Sequence, residues 1–155
     1  MVFFDKFILR EPLRHFKCLA RKWVKSMGLQ KYEDLVVWQK AMDLVVEVYR
    51  LAKLLPNEEI YALSNQMKRA AVSIPSNIAE GQERNTTKDF INHLYIAKGS
   101  KGELDTQLLV CVRLQYLIQA QISTAQSLLV EIGKMLNALI QRLSAILPSP
   151  SSTVS

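Results

Sequence analysis

Residues 122–146 read ISTAQSLLVEIGKMLNALIQRLSAI, and their apolar positions decide the fold class. Ile122, Ala125, Leu129, Ile132, Leu136, Leu139, Leu143 and Ile146 alternate spacings of three and four without a break. At about 100° of rotation per residue these positions share one stripe of a helix. An alternation sustained over this length is the seam of a left-handed helix bundle. Such a helix cannot bury its stripe alone, so the rest of the chain must supply the partners.

Three further segments carry the helical period. The first runs from about Asp34 to Leu55, with Leu35, Trp38, Met42, Val45 and Tyr49 in one apolar line. Val37, Ala41, Leu44, Val48 and Leu51 form a second line beside it. A helix this apolar around its circumference is covered on more than one side. Pro56-Asn57 then breaks the chain, and Asn57 is the expected N-cap of a second helix, with Glu58 and Glu59 in its first turn. That helix contains Pro75, which predicts a kink, and Gly81 is its expected end. Thr86 and Asp89 have the spacing of a capping box and open a third helix from about Thr87 to Tyr116. Its core line is Phe90, Leu94, Ala97, Leu104, Leu108 and Cys111. Gly99 and Gly102 each cost this helix about 1 kcal/mol against Ala. Because the apolar register continues on both sides, they point to a close approach by another backbone rather than a break. Four helices of about 20–30 residues with short connections predict an all-α, antiparallel four-helix bundle.

The bundle is expected over residues 31–147, between an extension at 1–30 and a disordered tail at 148–155 (PSPSSTVS). In the extension, Pro12 suits a first helical position, and Leu13, Phe16, Leu19, Trp23 and Met27 fall on one side. Arg14, Lys17, Arg21, Lys22 and Lys25 cover the rest, and Gly28 is a stop. This is a basic amphipathic segment, suited to an anionic surface, a nucleic acid or a partner protein. It also holds most of the net charge of +6. Residues 1–28 carry seven basic and two acidic groups, against 13 and 12 in the remainder. No apolar run approaches the roughly 18–20 residues of a membrane span, so a membrane is not an expected partner. Cys18 and Cys111 show no CxxC or Cys/His spacing and read as small thiols of a reduced, cytoplasmic protein.

One polar pattern stands out. Gln66, Arg69, Ser73, Asn77, Glu80 and Arg84 recur at three and four within QMKRAAVSIPSNIAEGQER and fall on one face of the second helix. Amides, a hydroxyl, two arginines and one acid suit a hydrogen-bonded seam, within the chain or between subunits, better than a merely wetted face. Lys68, Arg69, Arg84, Lys88, Lys98 and Lys101 lie on or beside the same region and are candidates for holding phosphates. Aromatics are not interleaved with them, so base stacking is not expected. No catalytic residue, cofactor or metal is assigned. His15 and His93 are isolated, no ExxH pair, P-loop, GxSxG or GxGxxG is present, and a Glu80–Glu103 acid/base pair is the weakest reading.

The residues also carry a resemblance. Leu35-Val-Val-Trp-Gln-Lys-Ala41, Tyr49, Pro56, Gln66, Arg69-Ala70, Ser73-Ile74-Pro75, Asn77-Ile78-Ala79-Glu80-Gly81 and Arg84 form its first part. Phe90, Ala97, Gly99-Ser100 and Glu103 form its second. Over about residues 31–145 the chain resembles the four-helix-bundle proteins encoded within intervening sequences of bacterial 23S ribosomal RNA genes. The resemblance implies a ring-like homopentamer, related to the accessory proteins of diversity-generating retroelements, which bind nucleic acid and partner a reverse transcriptase. It adds Ser100 and Glu103 to the polar seam. Lys98 and Lys101 make this chain more basic than its relatives, and Gln115 stands where a helix-ending Gly is common. Together these readings predict a non-enzymatic, oligomeric protein that binds structured RNA. The alternative is a protein-interaction scaffold for a reverse transcriptase or ribosome-associated factor.

Overall fold

The computed structural model describes residues 31–147. A 3₁₀ turn at Tyr32–Asp34 leads into helix α1 (Val36–Ala52), and a second at Asn57–Glu59 precedes α2 (Leu63–Glu83). Helices α3 (Thr87–Arg113) and α4 (Gln119–Ser144) complete a four-helix bundle, with no strand among the described residues. α2 packs on α1 and α3, and α4 closes the bundle against the same two, so α1 and α3 stand at opposite corners. The basic amphipathic segment at 1–30, with Cys18, and the tail at 148–155 lie outside the described residues.

Leu44, Leu51, Met67, Ile74, Ile78, Leu94, Leu104, Leu108, Ile122, Leu129 and Ile132 are fully buried. Each contributes about 1.5–3 kcal/mol by leaving water. The α4 seam is buried as expected from Ile122 to Leu136, and then the line steps to Ile140. Leu139 is only half-buried, packed against the core edge. A straight helix repeats every 3.6 residues, so a strict 3.5 pattern drifts off the core face within a few turns. In α1 the line from Val37 to Leu51 is buried. The second line is covered only in part, since Trp38 and Val45 pack against the core while Met42 and Tyr49 are exposed.

The helix ends differ from expectation in instructive ways. Asn57 caps no α-helix; it starts a single 3₁₀ turn, and α2 begins at Leu63, whose N–H donates to the Glu59 carboxylate at 3.1 Å. Pro75 does not interrupt α2. Gly81 is interior and buried rather than terminal, because its missing side chain lets α3 pass close by. Thr86 caps α3 as read, accepting from the Asp89 N–H at 3.0 Å. Gly99 and Gly102 lie in unbroken α3, and among the described residues nothing stands within 4 Å of a side chain built there, so no described backbone approaches them.

α3 ends at the position where the resemblance placed a departure. Gln115 has φ 60, in the left-handed region. Tyr116 N–H donates to the Cys111 carbonyl at 2.9 Å and Gln115 N–H to the Val112 carbonyl at 3.0 Å, which is the Schellman arrangement. Glycine adopts that φ without Cβ strain, so Gln115→Gly is expected to stabilise the protein by about 1 kcal/mol. A shift of the urea midpoint to higher concentration, at unchanged slope, would register it; no shift would contradict it.

Candidate functional site: the α2–α3 seam

The α2 stripe faces α3, and its middle is one continuous hydrogen-bonded chain. Asn77 Nδ2 donates to the Ser73 carbonyl at 2.8 Å and to Ser73 Oγ at 3.1 Å. Ser73 Oγ and Ser100 Oγ are 2.8 Å apart, and Ser100 Oγ donates to the Ile96 carbonyl at 3.2 Å. Since Ser100 spends its hydrogen on Ile96, Ser73 is the donor between the two hydroxyls. With its amide nitrogen committed to Ser73, Asn77 offers Oδ1 to His93 Nδ1, 3.2 Å away, which places a proton on Nδ1. His93 Nε2 then lies 3.8 Å from Glu80, and Glu80 pairs with Arg84 one turn on. Every donor in this chain has an acceptor, the condition under which a half-buried polar network fixes the register of two helices.

Above Ser73 the seam opens into a cleft of about 430 Å³ lined by Gln66, Arg69, Ala70, Ser73, Ser100 and Glu103. Arg69 makes no hydrogen bond or ion pair with the described residues. Glu103 accepts from Gln107 Nε2 at 3.0 Å, while Gln107 Oε1 is buried without a protein partner among them. Glu80 and Glu103 do not meet: ten residues of α3 separate Glu103 from His93, the residue that faces Glu80. The acid/base pairing is therefore absent, each carboxylate having a different neighbour.

All eight residues expected in the polar seam thus lie along the α2–α3 junction. The six basic candidates do not form one patch. Lys68 leans the other way, its ammonium 5.6 Å above the Tyr49 ring of α1. Lys101 runs along α4, its stem 3.6 Å from the place a Gly133 side chain would occupy, and pairs with Asp105 at 3.4 Å. Lys98, three residues earlier, shares that side of α3. Arg84 and Lys88 are exposed at the α2–α3 turn, and only Arg69 enters the cleft.

His93 was missed by sequence reasoning, which treated it as isolated. The signal was its spacing: His93, Ile96, Ser100, Glu103 and Gln107 follow one another at three and four. Cys111 is buried 3.5 Å from the Met67 sulfur, and burial pushes its thiol up to about 11. At neutral pH it is an inert core group. Among the described residues no group of three or more His, Cys, Asp or Glu could hold a metal ion, and no helix is long and apolar enough to cross a membrane.

The fold is that of an all-α four-helix bundle. The family model described as 23S rRNA-intervening sequence protein matches residues 33–138, and the chain belongs to that family. It is also similar to a crystal structure of a protein with unknown function from the S23 ribosomal protein family of Bacteroides thetaiotaomicron VPI-5482. The two are 32% identical over 68% of this chain and 99% of that one, with a TM-score of 0.64. A comparison with curated proteins gave no match.

Proposed function

We propose that this protein is a non-enzymatic, oligomeric bundle of the bacterial cytoplasm that holds structured RNA through its phosphates. The observation that carries this reading is the placement of charge. Seven basic against two acidic groups are concentrated in residues 1–28 of a chain whose remainder is nearly neutral. Arg69, without an ion-pair partner among the described residues, and the exposed Lys88 add donors on the bundle, while the exposed Arg84 is shared with Glu80. Contacts of this kind position a protein on a phosphate backbone without reading bases. The resemblance supplies the pentamer as the expected assembly.

A second reading has its own support. The placement of Lys68 on one face and of Lys98 and Lys101 on another, together with apolar side chains exposed on α1 and α3, suits a scaffold that contacts another protein, such as a reverse transcriptase.

Affinity for a structured RNA, followed from about 50 to 200 mM salt, separates the two. Binding led by six or more phosphate contacts should weaken on the order of a thousandfold across that range. A flat salt response, or no binding at low salt, would overturn the RNA reading in favour of the scaffold.

A further inference from the structure

The outer side of α1 is apolar without interruption. At about 100° per residue, Trp38, Met42, Val45, Val46 and Tyr49 share an arc of about 100°, and no charged residue between 38 and 49 falls within it. Val46 is 70% exposed, Met42 and Tyr49 are exposed, and Trp38 and Val45 are half-buried. At the foot of this stripe a groove of about 490 Å³ is lined by Val45, Val46, Tyr49, Arg50 and Lys53. A contiguous apolar face of this kind marks a contact. The chain itself arrives at its head, where the 3₁₀ turn at Tyr32–Asp34 is fastened to α1. The Tyr32 ring lies 5.4 Å from that of Trp38, and Gln39 Nε2 donates to the Glu33 carbonyl at 2.9 Å.

The sequence that joins the bundle at this point carries a matching stripe. Leu13, Phe16, Ala20, Trp23 and Met27 recur at three and four, and Arg14, Lys17, Arg21 and Lys25 do the same on the opposite side. As a helix, residues 12–27 would be about 24 Å long, against about 25 Å for the 17 residues of α1. The four residues 28–31 can reach about 13 Å, more than the roughly 8–10 Å between packed helix axes. A hairpin folded over residues 28–34 sets Met27 level with Leu35. Counting on in the antiparallel sense, Ala20 meets Met42, Phe16 meets Val46 and Leu13 meets Tyr49, while Trp23 falls within one residue of Trp38.

We propose that residues 12–27 seat on the outer face of α1 as a fifth helix, with the apolar stripe inward and the basic row outward. The occupant is this segment because point of entry, length and register agree, and because the contact buries no charge between Trp38 and Tyr49. A four-residue tether also holds the segment at the face at an effective concentration on the order of millimolar, so a modest apolar contact suffices. The family match begins at residue 33, so the seated helix is an addition to the bundle that the family shares. The core is closed without it, and the basic row stays on the surface, where phosphates could be met. The seating does not depend on RNA binding, and its test contains no nucleic acid.

The test uses the full chain with Cys18→Ser, which leaves only the buried, inert Cys111. Phe16→Cys combined with Val46→Cys should form a disulfide within one chain under mild oxidation, read by mass spectrometry. The bridge should form at least tenfold faster than in Lys17→Cys combined with Val46→Cys, which sets the first thiol on the basic side. Equal rates, no bridge, or bridges mainly between two chains would overturn the seating, and the last of these would give the face to a second copy. The unaltered segment is followed with trypsin, which cuts after its Arg and Lys residues. Val46→Asp should speed cleavage within residues 10–25 at least tenfold, whereas Val130→Asp, at an exposed site on α4, should leave it unchanged. Equal cleavage rates in these two variants would likewise overturn the seating.

Discussion

Gly81→Leu is expected to cost about 4 kcal/mol or more, enough to threaten folding of a marginally stable domain. A side chain begun at Gly81 would stand 2.7 Å from His93 Cβ and 2.8 Å from the Phe90 ring, with the Phe90 carbonyl at 3.3 Å. Neither His93 Cβ nor the Phe90 backbone is the free end of a flexible chain, so α2 and α3 must separate. Separation would also pull Asn77 from His93 and Ser73 from Ser100, leaving half-buried polar groups unpaired. Gly81→Ala should cost less, about 1–2 kcal/mol, because an overpacking penalty of about 1–3 kcal/mol is partly offset by better helix propensity. Urea unfolding of both variants gives the two midpoints. A Gly81→Leu protein within about 1 kcal/mol of wild type would show that the close α2–α3 approach does not hold the bundle together.

This glycine also shows where sequence reading stops. Gly81 at the end of a periodic run looks like a C-cap, and only the path of α3 reveals it as a contact. Local signals are legible where the physics is local: the Thr86 cap, the α4 stripe from Ile122 to Leu136 and again at Leu143, and the face shared by Gln66 to Arg84. Asn57 misled because its capping preference competes with Glu59, two residues on, which supplies the carboxylate that Leu63 uses. The direction taken by each lysine was not legible, since helical spacing leaves Lys68 and Lys101 beside the stripe and only packing turns one toward Tyr49 and the other toward Gly133. A lone histidine carries no chemical signal of its own, and only its spacing to Ser100 marks His93 as part of the seam.

The second large effect concerns the charge. Residues 1–28 hold a net +5 of the chain's +6. If they make about five phosphate contacts, their removal should lower affinity for structured RNA on the order of 10²–10⁴-fold near 100 mM salt. The salt slope should fall by about four to five as those contacts are lost. Arg69→Ala, which removes one cation from the α2–α3 cleft, should lower affinity uniformly across sequences and change the slope by about one. The bundle itself should be unaffected by the truncation, because every fully buried side chain named above lies within residues 44–132. The decisive measurement is therefore the affinity of the full chain and of residues 29–155 for one structured RNA at the same salt. A loss of a hundredfold or more with a shallower salt slope is expected; equal affinities would contradict charge-led RNA binding by this chain's basic N-terminal segment.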